Sequence, residues 1–403
     1  MRSFYSLGVR LYSLAISAAA PFQEKAQKWK TGRKAYFRNL PTGLEGCIWI
    51  HCASLGEFEQ GRPIIEALRG KTSKKLLLTF FSPSGYEIRK RYEGVDAVVY
   101  LPLDTKSNAK KFLNHFKPAA AIFIKYEVWH NFFHEMTRRG ISHYIASAIF
   151  RKDQIYFKAY GAWFLKTLKE VDHIFCQDER SAKLLESKGL TNVSVTGDTR
   201  LDRVIKLAES FTPVDQVEKW LDDRKAIVAG STWPEDETLF AELAKKLPDE
   251  VALIIAPHEI KTERIQKLSQ KFKSADLFTL WNSDQAPSRV LIVDTIGVLG
   301  RLYHYGVAAY IGGGFGAGIH NTLEAAVYGI PVVFGPKYQK FREAVDLQKA
   351  GAAFSIQNKE GFDSIMNRLL EEDSFRRKAG EKGKNYVYKE GGATEKILKE
   401  IVN

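Results

Sequence analysis

Thirteen short runs of apolar residues, nearly continuous rather than alternating, recur along this chain, and helix-spaced segments lie between most of them. In the first half they are Cys47–Ala53, Leu76–Phe81, Ala97–Leu101, Ala119–Lys125, Tyr144–Ala146, His173–Cys176 and Val193–Val195. In the second half they are Ala226–Ala229, Val251–Ala256, Val290–Val293, Val307–Ile311, Pro331–Phe334 and Ala352–Ser355. A strand that is apolar on both faces has to be covered on both faces, which points to parallel sheets layered between helices. At 403 residues the chain exceeds one ordinary core, so two such units are expected. The pattern lapses into a polar stretch around 203–224, with Pro213 and Asp222-Asp223, and a boundary is expected near 205–222. The expected architecture is α/β, with two Rossmann-like parallel-sheet domains facing across a cleft onto which the carboxyl edges of both sheets open.

The hydrophobic fraction of 45% and charged fraction of 27% are those of a globular protein. Cys47, Cys52 and Cys176 show neither disulfide nor metal-ligand spacing, and buried free thiols are expected. The net charge of +13 is one-sided: residues 1–200 hold 32 Lys/Arg against 18 Asp/Glu, while the remainder is close to neutral. A polyanionic partner is therefore expected for the first half alone. Nucleic acid is set aside, because no basic-aromatic repeat, zinc spacing or reader motif accompanies the charge.

The segment Phe4–Phe22 is apolar and aromatic, but Arg10 interrupts it, and the uncharged stretch Leu11–Gln23 falls short of the ~20 residues that span a bilayer. Lys25, Lys28, Lys30, Arg33, Lys34 and Arg38 follow directly. This arrangement favours a helix lying on an anionic membrane surface over an internally packed helix or an export signal. Residues 1–40 are thus read as a membrane-associated helix and basic segment. Residues 41–212 are read as an acceptor-side domain, and 213–403 as a nucleotide-sugar domain with a helical C-terminal tail.

The motif His51-Cys52-Ala53-Ser54-Leu55-Gly56-Glu57 joins the end of a strand to the first turn of a helix, where backbone N–H groups and the helix dipole favour an anion. Glu57 has two readings there: a helix-start charge, or a base aimed into the cleft. In the second half, Gly312-Gly313-Gly314-Phe315-Gly316-Ala317-Gly318 follows a strand, and His320-Asn321-Thr322-Leu323-Glu324 comes next. Glycines there allow a phosphate to approach the backbone closely, and Glu324 is placed to take ribose hydroxyls. Gly230-Ser231-Thr232-Trp233, Pro257-His258-Glu259 and Gly335-Pro336 end three further strands at the same sheet edge. N-caps and turns use the same residue types.

Taken in order, these motifs resemble the 3-deoxy-D-manno-octulosonic acid (Kdo) transferase family of lipid A synthesis, glycosyltransferases of GT-B fold. The set also includes Ser82-Pro83-Ser84-Gly85, Tyr100-Leu101-Pro102-Leu103-Asp104, Tyr126-Glu127-Val128-Trp129-His130-Asn131, Thr196-Gly197-Asp198 and Asp294-Thr295-Ile296-Gly297. The resemblance implies transfer of Kdo from CMP-Kdo to a lipid A precursor, without a metal or other cofactor, at the cytoplasmic face of the inner membrane. It matches Glu57 to the general base and Glu127 to a second carboxylate on the acceptor side. Ser54 and Gly56 shape that turn, and Lys30 and Arg33 are candidates for acceptor phosphates. Gly230, Ser231, Thr232, His258, Gly312, Gly313, Gly314, Asn321 and Glu324 fall on the CMP side. The chain departs from the family pattern at Lys125, where an acidic residue is common, and at Val298, where glutamate is common. The alternative is a GT-B transferase or epimerase using a UDP-sugar.

Overall fold

Strand β1 (Ile48–Cys52) shows why the apolar runs are unbroken. Ile48, Ile50 and Cys52 join a buried cluster with Ile64, Ile65 and Leu68, while Trp49 enters a second cluster with Phe112, Phe123 and Phe132. Successive side chains of a strand point to opposite faces, and helices cover both. The computed structural model describes residues 2–158 and 161–402. After β1 come β2 (Leu76–Phe80), β3 (Ala97–Tyr100), β4 (Ala120–Ile124), β5 (Ser142–Ala148), β6 (His173–Cys176) and β7 (Val193–Val195). They form one sheet in the order β3-β2-β1-β4-β5-β6-β7, with every pairing parallel.

The second sheet contains β8 (Lys225–Thr232), β9 (Val251–Pro257), β10 (Asp276–Leu277), β11 (Val290–Ile292), β12 (Gly306–Ile311), β13 (Val332–Phe334) and β14 (Ala353–Ser355). Its order is β10-β11-β9-β8-β12-β13-β14, again all parallel. The thirteen expected strands are present. The fourteenth, β10, is a two-residue edge strand, too short to leave a hydrophobic pattern. Buried Ile227, Leu253, Ile292 and Tyr310 pack on one face of this sheet with Phe240, Phe362 and Met366. All three cysteines are free and buried.

The chain divides into one unit of residues 1–203 and 391–403 and another of 204–390. The end of the chain differs from the sequence reading, which kept the whole C-terminal tail with the second domain. The helix Ala393–Val402 belongs to the first unit, for two physical reasons. Both Asp202 carboxylate oxygens accept bonds at its start, from the N–H groups of Gly392 and Thr394, each at 2.6 Å. Its apolar residues Ile397 and Leu398 are buried with Ile64, Ile65 and Leu68 of the helix Leu55–Lys71.

The N-terminal segment is likewise part of the first unit. The Tyr5 hydroxyl donates to Asp104 at 2.8 Å, and the Tyr36 hydroxyl donates to the Tyr100 carbonyl at 2.6 Å. The helix Arg2–Ala19 turns Tyr5 and Tyr12 toward the fold, Tyr12 stacking on Phe81 while half exposed. At 100° per residue, Leu7, Leu11 and Leu14 lie within about 60° of one another on the opposite side. They are 53%, 57% and 65% exposed. Among the described residues no helix is long and apolar enough to cross a membrane.

Candidate active site

In a doubly wound sheet the ligand crevice lies at the carboxyl edge where the strand order reverses. In the first sheet that point falls between β1 and β4. The segment after β1 carries Ser54, Gly56 and Glu57, and the segment after β4 carries Lys125 and Glu127. The sequence motifs therefore come together because these two strands are neighbours, though about seventy residues separate them along the chain.

Ser54 is the N-cap of the helix Leu55–Lys71, and Glu57 is its third residue, in a capping box. Glu57 Oε2 accepts from the Ser54 N–H at 2.6 Å and from the Ser54 hydroxyl at 2.8 Å. Oε1 accepts no hydrogen bond among the described residues. The two readings of Glu57 are thus compatible: one oxygen fixes the carboxylate and the other remains available. Gly56 leaves room beside it, since an added Cβ would meet only the Ser54 hydroxyl, at 3.9 Å.

Glu127 is partly buried, and burial followed by the nearby Glu57 carboxylate raises its pKa from 4.5 to about 8. A buried carboxyl whose proton is held more tightly beside a neighbouring carboxylate is a pattern by which sites place a proton donor next to a base. Lys125 opposes the shift and stands with its ammonium 5.3 Å from the centre of the Tyr126 ring. Its backbone is left-handed, at φ +76°. Ser147, in the last turn of β5, and Ser231, near the end of β8, share that conformation, at +53° and +54°. A non-glycine residue held there costs about 1 kcal/mol or more, and such residues gather at functional edges.

The remaining acceptor-side candidates lie farther from the carboxyl pair in character. Arg33 is largely buried. Its guanidinium donates to the carbonyls of Leu101, Phe81 and Trp29 at 3.1, 2.8 and 3.2 Å, and stacks on Trp29, Phe81 and Tyr100. Burial lowers its pKa to about 10. Two of its five N–H donors thus tie the N-terminal segment to the ends of β2 and β3, and a third closes on Trp29 within that segment. Lys30 is exposed, on the helix Glu24–Thr31.

In the second sheet the order reverses between β8 and β12. Gly230, Ser231 and Thr232 end β8, and Gly312–Gly314 follow β12. Close backbone packing accounts for two of these glycines. A Cβ on Gly312 would lie 2.3 Å from the Ser231 carbonyl oxygen, and one on Gly314 would lie 2.6 Å from the Gly335 backbone. The Gly312 N–H pairs with the Gly230 carbonyl at 2.9 Å. The Gly313 N–H donates to Asp236, also at 2.9 Å.

Sequence reasoning did not single out Asp236. It is buried and also accepts from the Tyr310 hydroxyl at 2.7 Å and the Trp233 N–H at 2.9 Å. Burial raises its pKa, against those three bonds. The signal for it was Trp233-Pro234-Glu235-Asp236, a proline at the first helical position followed by an acidic third residue. With Gly312 and Gly313 engaged, the N–H groups of Gly314, Phe315 and Ala317 pair with no backbone carbonyl among the described residues.

His258 lies between the rings of Trp233 and His320, stacked at 4.8 and 4.5 Å. Burial, with repulsion from His258, lowers the His320 pKa to about 4. Asn321 donates to Glu324 at 3.1 Å and accepts from the Leu323 N–H. The Thr232 hydroxyl donates to buried Glu237 at 3.2 Å, so its hydrogen is used within the fold. Among the described residues no group of three or more His, Cys, Asp and Glu could hold a metal ion.

Residues 22–203 match the family model described as 3-deoxy-D-manno-octulosonic-acid transferase (kdotransferase). The chain is 29% identical over 342 residues to the 3-deoxy-D-manno-octulosonic acid transferase of Aquifex aeolicus, covering 81% of this chain and 86% of that one. It is 26% identical over 378 residues to a bifunctional glycosyltransferase/methyltransferase of Fusobacterium nucleatum, covering 90% of this chain but only 58% of that longer protein. Among solved structures, the UDP-GlcNAc 2-epimerase of Neisseria meningitidis aligns with a TM-score of 0.63 at 16% identity, over 88% of this chain and 99% of that one. That likeness shows a shared fold.

Proposed function

We propose that this chain, similar over residues 22–203 to the Kdo transferase family model, is a glycosyltransferase of lipopolysaccharide biosynthesis that transfers Kdo from CMP-Kdo to a lipid A precursor with Glu57 as the base. The observation that carries this reading is the carboxyl pair at the switch point between β1 and β4, where burial and the nearby Glu57 raise the Glu127 pKa to about 8. As the acceptor oxygen bonds to the anomeric carbon of Kdo, its proton passes to Glu57 Oε1. The bond from that carbon to the phosphate oxygen breaks, and CMP leaves with the electron pair. Positioned proton transfer of this kind contributes ~10²–10⁴-fold.

A neutral Glu127 keeps a second negative charge away from the base and offers a hydrogen bond to an acceptor oxygen. On the donor side, the N–H groups of Gly314, Phe315 and Ala317 are available to the leaving phosphate. Asp236 fixes the loop that presents them. The ring stack of Trp233, His258 and His320 and the Asn321–Glu324 pair supply the flat and hydroxyl-binding surfaces that a cytidine needs.

The exposed Leu7, Leu11 and Leu14, with Phe22 at 87% exposure and the cations of residues 25–34, support docking of this unit on an anionic membrane surface, the cytoplasmic face of the inner membrane. The test is mass spectrometry of a tetra-acyl bisphosphorylated lipid A precursor after incubation with the protein and CMP-Kdo. A mass gain of one or more Kdo units is expected. An unchanged acceptor, with UDP-sugars and not CMP-sugars protecting the protein thermally, would contradict the reading.

A further inference from the structure

A cavity of about 640 Å³ opens in the first unit beside the ends of β5 and β6, lined by Phe150, Arg151, Lys152, Arg180, Lys183 and Leu184. Four cations surround an apolar floor. Lys152 and Arg180 have no acidic partner among the described residues. Arg151 and Lys183 have only loose, solvent-screened ones, Asp153 at 3.7 Å and Glu179 at 3.9 Å. The walls are pinned together: the Phe150 N–H donates to the Ser181 hydroxyl at 2.9 Å, and the Ser181 N–H donates to Asp178 at 2.7 Å. One wall of the cavity also reaches toward the segment after β4. The Arg151 guanidinium stands 5.9 Å from the centre of the Tyr126 ring, and Tyr126 immediately precedes Glu127.

We infer that this cavity is a binding site for a phosphomonoester carried on an acyl-bearing glycolipid, seating one phosphate of the acceptor against Arg151 and Arg180 with apolar chain against Phe150 and Leu184. Guanidinium groups with no close acidic partner, as Arg180 has none among the described residues and Arg151 only Asp153 at 3.7 Å, match the planar, bidentate geometry that binds phosphate. A site for inorganic phosphate alone needs neither this volume nor an apolar floor. The inference rests on the reading of the acceptor as a phosphorylated glycolipid, and it adds the place where that phosphate is held.

The test uses the full chain and needs no donor or turnover. Phosphatidylcholine vesicles are doped with a tetra-acyl glucosamine disaccharide, either phosphorylated or dephosphorylated, and protein binding is followed by co-sedimentation. The unaltered protein is expected to prefer the phosphorylated vesicles. Two cations at about 1 kcal/mol each make that preference about 30-fold, and it is lost in the double variant Arg151→Ala/Arg180→Ala. The double variant Arg151→Lys/Arg180→Lys retains most of it, and because both arginines are exposed, neither variant disturbs the core.

Three results would overturn the inference. One is a preference that survives the alanine variant. Another is equal weakening of that variant on both kinds of vesicle. The third is protection by inorganic phosphate with no preference between vesicles, which would mark a free-phosphate site. Failure of Kdo transfer leaves a positive vesicle result standing, and loss of the vesicle preference leaves Kdo transfer standing.

Discussion

Glu57 performs a helix-capping task and a chemical task with different oxygens, and the neighbouring Glu127 makes the second task sensitive to pH. Because the Glu127 carboxyl binds its proton more tightly folded than unfolded, the native state holds more protons than the unfolded chain between pH 4.5 and about 8. Its contribution to stability is therefore full below pH 4.5 and is lost as the pH rises through about 8. Glu127→Gln, which cannot ionise, is expected to raise the melting temperature relative to the unaltered protein at pH 9 and to leave it nearly unchanged at pH 5. Scanning calorimetry at the two pH values checks this, and an equal shift at both would remove the ionisation argument. Asp236 offers a second test at this scale. Asp236→Ala leaves the Gly313 N–H, the Trp233 N–H and the Tyr310 hydroxyl without their acceptor. The expected loss is about 3 kcal/mol in urea unfolding, with weaker CMP binding by calorimetry.

At the scale of elements, the strands and their order along the chain were legible because double-sided burial writes a continuous apolar run. The pairing order was not, since any parallel sheet of these strands has the same local pattern, and it is the pairing of β1 with β4 that joins Glu57 to Glu127. The C-terminal helix was assigned to the other unit for a similar reason. Its apolar residues Ile397 and Leu398 announce a buried face but not which surface covers them, and the two bonds to Asp202 span about 190 residues. Asp202→Ala is expected to cost about 1 kcal/mol, as loss of a helix cap does, and to speed hydrogen exchange in the last helix. The segment Phe4–Phe22 reads in sequence as apolar and aromatic apart from Arg10, without showing which side packs, while in the structure Tyr5 and Tyr12 contact the fold on one side and three leucines remain exposed. Substituting Leu7, Leu11 and Leu14 by serine is expected to release the protein from anionic vesicles without lowering its melting temperature. Unchanged partitioning would remove the proposal of membrane docking.

For the whole molecule, the excess positive charge lies in the residues that form most of the first unit, which carries the carboxyl pair, the basic cavity and the exposed leucines. The nearly neutral second unit carries the glycine loop and the ring stack. An anionic glycolipid for the first unit and a nucleotide sugar for the second accounts for that division with one reaction. That reaction depends most directly on Glu57, and the capping box provides a clean variant, because glutamine at the same position still accepts the Ser54 N–H. In Glu57→Gln, with CMP-Kdo and the lipid A precursor supplied, Kdo transfer is expected to fall by at least ~10²-fold, with CMP affinity and melting temperature nearly unchanged. Turnover within a few-fold of the unaltered protein would show that Glu57 only caps its helix and that the base lies elsewhere.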